Sequence, residues 1–202
     1  PTIQTQEISH KKANQDLDDE LQQLIASQKT RIKVVGCGGA GNNTINRISE
    51  VGVKGIETIA INTDAQDLLY TNAEKKLLIG KELTQGLGAG SNPKVGEAAA
   101  KENEGELKKL ITGSDMIFIT AGLGGGTGTG SAPFMAALAK KMGILSVGIV
   151  TIPFTMEGSH RFENAITGLE RMEQSVNTLI VIPNEKLLEL ATHLPLQTAF
   201  KV

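Results

Sequence analysis

Ten residues, Gly122-Leu123-Gly124-Gly125-Gly126-Thr127-Gly128-Thr129-Gly130-Ser131, place six glycines and two threonines between an apolar segment, Met116 to Ile119, and a stretch of helical character. Ordering such a loop costs about 1–2 kcal/mol of backbone entropy per residue, and glycine gives up the most. The chemistry that rewards it is phosphate binding. Bare N–H groups can approach anionic oxygens closely, the following helix adds the positive end of its dipole, and the two threonine hydroxyls are further donors. A flexible linker has a similar composition, but a strand and a helix abut this run directly.

Two further glycine loops have the same character, Gly36-Cys37-Gly38-Gly39-Ala40-Gly41-Asn42-Asn43 and Gly86-Leu87-Gly88-Ala89-Gly90-Ser91-Asn92. Gly36-x-Gly38-x-x-Gly41 matches a dinucleotide fingerprint, and Asp64 falls about where a ribose-binding acid would. A hydride-transfer protein needs one such turn for its pyrophosphate, whereas three suit a triphosphate better. The lysine-centred G-x-x-x-x-G-K-[ST] loop is absent.

The elements that must hold these loops alternate along the chain. Strand-like runs near Ile32 to Val35, Thr58 to Asn62, Leu77 to Ile79, Met116 to Thr120, Leu145 to Ile152 and Thr178 to Ile182 lack polar alternation. Helical segments fall near Asn43 to Ser49, Ala65 to Tyr70, Pro93 to Ile111, Pro133 to Met142, His160 to Gln174 and Glu185 to Leu190. Asn92-Pro93 has the form of an N-cap followed by proline at the first helical position, and Ser131 with Pro133 repeats it less cleanly. Apolar strands each followed by a helix predict a doubly wound α/β fold, a mainly parallel sheet with helices on both faces. In such a sheet ligands bind at the carboxyl ends of the strands, where all the unusual loops sit. Gly80 to Asn92 is the longest irregular stretch. Ahead of this body, residues 1–30 read as a polar tail with a helix near 14–27, whose stripe of Leu17, Leu21, Leu24 and Ile25 is expected to dock.

The net charge of -2 and pI near 6.0 oppose broad nucleic-acid binding, and one tyrosine, five phenylalanines and no tryptophan leave little to stack bases on. Cys37 is the single cysteine, so no internal disulfide can form. No signal-like segment opens the chain and no apolar run reaches the roughly 18 residues of a membrane span, so a cytoplasmic location without membrane insertion is expected. His10, His160 and His193 lack ligand spacing, and no metal site is expected from protein side chains.

The stretches "VVGCGGAGNN", "AINTDAQ", "GLGAGSNP", "GLGGGTGTGSAP", "PFTMEGSHR" and "VIPNEKL", in this order and spacing, resemble the GTP-binding domain of the FtsZ family, tubulin-like GTPases of cell division. The resemblance covers about residues 31 to 202. The "GGGTGTG" run is characteristic of the tubulin and FtsZ superfamily as a whole, and Cys37 with Ala40 is more similar to archaeal members. It implies that Gly38, Gly39, Ala40, Gly41 and Asn42 contact phosphates, with the stretch from Asn62 to Ala65 alongside. Gly88, Ala89 and Gly90 would sense the γ-phosphate, while Gly125, Gly126, Thr127, Gly128 and Thr129 would wrap the phosphates. Glu157 and Arg161 would approach the ribose, Asn184 would hydrogen-bond guanine, and Phe200 would pack on its face. The cofactor implied is GTP or GDP, with Mg2+ carried on the phosphates. Plainer readings of single residues stand beside these: a helix ion pair for Glu157 and Arg161, a core position for Phe200, a small unreactive loop residue for Cys37, a solvated Lys94, and a wet helix face for Lys101 to Lys109.

Residues 195–202 read as the start of a helix. In the family it continues into a central helix carrying a guanine-recognising aspartate, followed by an acidic loop that completes GTP hydrolysis on the neighbouring subunit. The resemblance therefore implies three domains of unequal kind: residues 1–30 as tail, 31–194 as GTP-binding domain, and 195–202 as a truncated central helix. It also implies a parent protein that assembles head to tail and meets division-associated partners, heterologous contacts being of the kind that generate open filaments. The chain itself would bind guanine nucleotide without turnover, having no catalytic residue of its own. An NAD-binding oxidoreductase domain and a non-hydrolysing assembly or capping module are the alternatives.

Overall fold

Six apolar runs become six strands: β1 (Ile32–Cys37), β2 (Ile56–Asn62), β3 (Lys75–Leu78), β4 (Met116–Gly122), β5 (Leu145–Ile152) and β6 (Thr178–Pro183). All pair in parallel, in the order β3-β2-β1-β4-β5-β6. The computed structural model describes residues 30–186 together with Asp18 and Leu21. The chain divides into two units, Pro1–Thr30 and Arg31–Val202. In the first, Asp18 and Leu21 are helical and exposed. The remaining positions of the stripe expected there (Leu17, Leu24 and Ile25) lie outside the described residues, as do the terminal helix expected over 195–202 and Phe200.

Around the sheet run α1 (Gly38–Val51), α2 (Ala65–Tyr70), α3 (Lys81–Thr84), α4 (Pro93–Glu102), α5 (Glu104–Ile111), α6 (Thr127–Lys141) and α7 (Ser159–Ser175). Strand residues Val35, Ile59, Ile61, Ile117, Ile119 and Val150 meet helix residues Leu107, Ile111, Met135, Leu138 and Met172 in one buried cluster. Each such side chain contributes about 1.5–3 kcal/mol on leaving water. The order of strands matters more than their number. The chain leaves β1 toward β2 and leaves β4 toward β5, in opposite directions across the sheet, and right-handed crossovers then send α1 and α6 to opposite faces. A crevice must open between the carboxyl ends of β1 and β4.

Several expected boundaries move, each for a physical reason. α1 begins at Gly38 rather than near Asn43, and α6 at Thr127 rather than Pro133. Glycine costs about 1 kcal/mol per helical residue, so the pattern alone argues for loop. Close packing outweighs that cost. A Cβ on Gly128 would stand 2.9 Å from the Gly122 carbonyl oxygen and 3.0 Å from that of Cys37, so only glycine lets the helix start so near β1 and β4. Ser131 is therefore no N-cap; its hydroxyl donates to the Thr127 carbonyl at 2.6 Å, one turn back inside the helix. Asn92 does cap α4, its Oδ1 accepting from Lys94 N at 3.0 Å. The single helix expected over 93–111 breaks at Asn103, whose Oδ1 accepts from Gly80 N at 2.8 Å. The stretch from Gly80 to Asn92, expected to be irregular, contains the one-turn α3. Cys37 is the last residue of β1, not a loop residue.

Candidate functional site

Where β1, β4 and β5 end, a cavity of about 270 Å³ opens. Gly39 and Ala40 of α1 form one wall, the turn Gly122, Leu123, Gly125 and Gly126 with Thr127 and Gly128 of α6 another. Thr151 and Pro153 follow from β5, then Glu157, Arg161 of α7, and Asn184 after β6. Nine of the residues expected from the sequence thus share one cavity: Gly39, Ala40, Gly125, Gly126, Thr127, Gly128, Glu157, Arg161 and Asn184.

The helices that reach this wall share a second property. α1, α6 and α7 each begin without a side-chain cap and without an acidic residue in the first turn. Away from it, α2 is capped by Asp64 and α4 by Asn92. The first N–H groups of a helix have no partner within the helix, and a carboxylate there would compete with any anion. Leaving three such ends uncapped around one cavity creates a site for negative oxygens. Gly125 adds to this, since it is on the wall and a Cβ there would meet no heavy atom within 4 Å.

At the mouth, Arg161 pairs with Glu157 at 2.8 Å, and Glu157 Oε1 also accepts from Phe154 N at 2.9 Å. The pair is an i,i+4 contact, as its plainer reading holds, but it bridges the 3-10 turn Thr155–Glu157 to α7 over the cavity. Asn184 is fixed through its backbone N–H, which donates to the Ile152 carbonyl at 3.0 Å.

The other expected residues stand behind or beside the wall. Gly38 and Gly41 are buried beneath it, Gly41 against the Thr120 carbonyl and Gly36. Asn42 and Asn62 both donate to Asp67 Oδ2, at 3.5 and 2.6 Å. Ala65 is exposed at the start of α2, its N–H bonded to the Gly86 carbonyl. Ala89 packs on the back of Gly126, and Gly88 donates to the Thr63 carbonyl at 3.1 Å, with Gly90 exposed beside them. Thr129 corrects the expectation of two threonine donors. It is buried and its Oγ1 accepts from Gly124 N at 2.9 Å, shaping the turn from behind while Thr127 alone is on the wall. Asp64 is likewise no ribose-binding acid: its Oδ1 accepts from Gln66 N and Asp67 N and it lines no part of the cavity.

The family model "Tubulin/FtsZ family, GTPase domain" matches residues 31–192. The chain belongs to the tubulin/FtsZ family. Cell division protein FtsZ 1 of Thermococcus kodakarensis is 59% identical over 187 residues, 93% of this chain and 50% of the relative. FtsZ 1 of Pyrococcus abyssi is 61% identical over 186 residues, 92% of this chain and again 50% of the relative. The chain thus spans about half the length of the relatives it matches. Among solved structures, an empty FtsZ dimer from M. jannaschii superposes with a TM-score of 0.86 at 60% identity, covering 91% of this chain and 54% of that one. CetZ1 from Haloferax volcanii, solved as a GDP-bound monomer, gives 0.76 at 26% identity, over 85% and 56%.

In this FtsZ-type domain the sequence reading missed five wall residues: Cys37, Gly122, Leu123, Thr151 and Pro153. Register carries the missing signal. Cys37 pairs with Ala121 and Gly122 with Thr151, so Cys37, Gly122 and Thr151 lie within one register step of each other at the carboxyl ends of three adjacent strands. Cys37 is wholly buried, and burial pushes its thiol up to about 12, a hydrogen bond with Ser131 only partly offsetting this. The folded chain should therefore resist a thiol-reactive disulfide reagent at pH 8, and react quickly once unfolded in denaturant. Stoichiometric labelling within seconds in native buffer would contradict the buried placement. Among the described residues, no group of three or more His, Cys, Asp or Glu could hold a metal ion, and no helix is long and apolar enough to cross a membrane.

Proposed function

We propose that the cavity holds the phosphates and ribose of a guanine nucleotide, and that the chain is the nucleotide-binding part of a filament-forming cell-division GTPase. The convergence of three uncapped helix N-termini on a wall with an open glycine at position 125 carries this reading. Amides from Gly39, Ala40 and Gly125 to Gly128 grip the phosphate chain, backed by Gly38, Gly41, Asn42, Asn62, Ala65 and Thr129. Arg161 and Glu157 stand where a ribose would leave the phosphates, and Asn184 can both donate to and accept from a base edge. By the family resemblance, Phe200 would stack on the base. Gly88, Ala89 and Gly90 respond to the γ-phosphate through Gly126, on whose back Ala89 packs.

In this reading Mg2+ travels with the nucleotide, since among the described residues no carboxylate lines the cavity except Glu157, which is already paired with Arg161. When bound it would offset phosphate charge. The parent protein stacks head to tail in the cytoplasm at the division site, binds division-associated partners, and hydrolyses GTP only where a neighbour supplies acidic groups beside the γ-phosphate. This chain supplies positioning and charge stabilisation by fixed amides. It should bind GTP and GDP at least tenfold more tightly than ATP or NAD, and release no phosphate alone. Titration calorimetry and a phosphate assay check both, and equal affinity for ATP would remove the guanine reading.

A further inference from the structure

Thr63 is fully buried between β2 and α2 and lines no part of the cavity. Its own turn does not need its hydroxyl. Asn62 Oδ1 accepts from Thr63 N at 2.9 Å and Asp64 N at 3.2 Å, and Asp64 Oδ1 accepts from Gln66 N and Asp67 N. The hydroxyl instead crosses to α6, where Thr63 Oγ1 stands 2.6 Å from Thr127 Oγ1. Thr127 is the first residue of α6 and lies on the cavity wall. The Thr63 carbonyl meanwhile accepts from Gly88 N at 3.1 Å and Thr84 Oγ1 at 3.3 Å. One buried residue therefore ties the β2–α2 turn, the loop before α4 and the start of α6 together.

Two hydroxyls at this distance share one proton, so one donates and the other accepts. If Thr127 donates to Thr63, its oxygen faces the cavity only as an acceptor and repels a phosphate oxygen. If Thr63 donates, the Thr127 hydrogen turns toward the cavity and can bond an anion. Hydrogen bonds in such a chain also polarise one another. We propose that Thr63 is a positioning residue that donates its hydroxyl proton to Thr127 Oγ1 and so holds Thr127 as a donor toward a phosphate oxygen of the bound nucleotide. This rests on the reading of the cavity as a guanine-nucleotide phosphate site and adds a residue outside its wall.

A double-mutant cycle on the chain, titrated with GTP and Mg2+ and accompanied by thermal midpoints, separates this role from a merely structural one. Thr63→Val should weaken GTP binding about tenfold, the scale of one charge-assisted hydrogen bond. Thr63→Ser should restore affinity to within about twofold, because the hydroxyl returns. In a Thr127→Val background, Thr63→Val should cost nothing further, since there is no hydroxyl left to orient. Equal losses in both backgrounds, or no loss in a folded Thr63→Val chain, would overturn the proposal while leaving the cavity's reading intact. If Thr63→Val does not fold, Thr63→Ala in the same two backgrounds is read by the same criteria. A wild-type chain that binds no guanine nucleotide removes the reading of the cavity, and this role with it.

Discussion

Gly125→Ala should leave the chain folded at or slightly above its wild-type thermal midpoint and weaken GTP and GDP binding about a hundredfold. The first half follows from open space. A Cβ at 125 would meet no heavy atom within 4 Å, and Gly125 is not among the glycines with positive φ. Glycine to alanine at such a position stabilises by about 0.4–1 kcal/mol, because the unfolded chain loses freedom. The second half follows from where that space lies. Gly125 is on the cavity wall between the end of β4 and the start of α6, where the proposed phosphates pass. A methyl group there lifts an anion off the neighbouring amides. Hydrogen bonds to charged groups are worth about 1.5–3 kcal/mol each, so losing one or two gives the stated factor. Scanning calorimetry and nucleotide titration on one preparation check both halves. Wild-type affinity in a folded Gly125→Ala chain would mean that no phosphate lies over this turn.

How much of this could be seen in the residues depends on the interaction that decides each feature. The strands were legible because runs such as Ile32 to Val35 and Leu145 to Ile152 are apolar without alternation, which only a sheet covered on both faces rewards. Asn92-Pro93 was legible because a cap is a local hydrogen bond, and it forms as its residue types suggest. The starts of α1 and α6 were not, because glycine's helix penalty is local whereas the packing that overrides it comes from β1, β4 and α4. The break at Asn103 has the same origin: its partner is Gly80, 23 residues away.

For the site, the loops were legible and their division of labour was not. Thr127 and Thr129 are two residues apart in one motif, yet one faces the cavity and the other is buried under the turn, because successive positions at a helix start point in different directions. Thr151 lies in no motif, and Cys37 and Gly122, although they belong to glycine-rich runs, are not marked by those runs as wall residues. They reach the wall because they lie at or next to the ends of neighbouring strands, which depends on strand order. Asp64 shows the converse, a residue at the right spacing for a ribose whose carboxylate is consumed in capping α2.

The glycine run divides the same way, and Gly130→Ala, five residues from Gly125, should have the opposite outcome. Gly130 is buried where α6 crosses α4, and a Cβ there would overlap the Pro93 carbonyl oxygen and stand 2.5 Å from Glu97 N. Both obstacles are backbone atoms of a helix, so no side-chain rotation relieves them. Gly96 repeats the contact from the α4 side, where a Cβ would collide with the Gly126 carbonyl and lie 3.0 Å from Thr127 Cα. Overpacking of this kind typically costs 1–3 kcal/mol, and with rigid backbone on both sides about 3 kcal/mol is expected. For a domain of this size that lowers the thermal midpoint by about 6–12 °C. Nucleotide affinity should fall as well, but only as far as the displaced α4 drags Asn92 and Ala89 from the back of Gly126. A Gly130→Ala chain with an unchanged midpoint would show that α4 and α6 can separate without cost. Gly130 would then have no packing role, and its place in the run would have to be explained by the ligand.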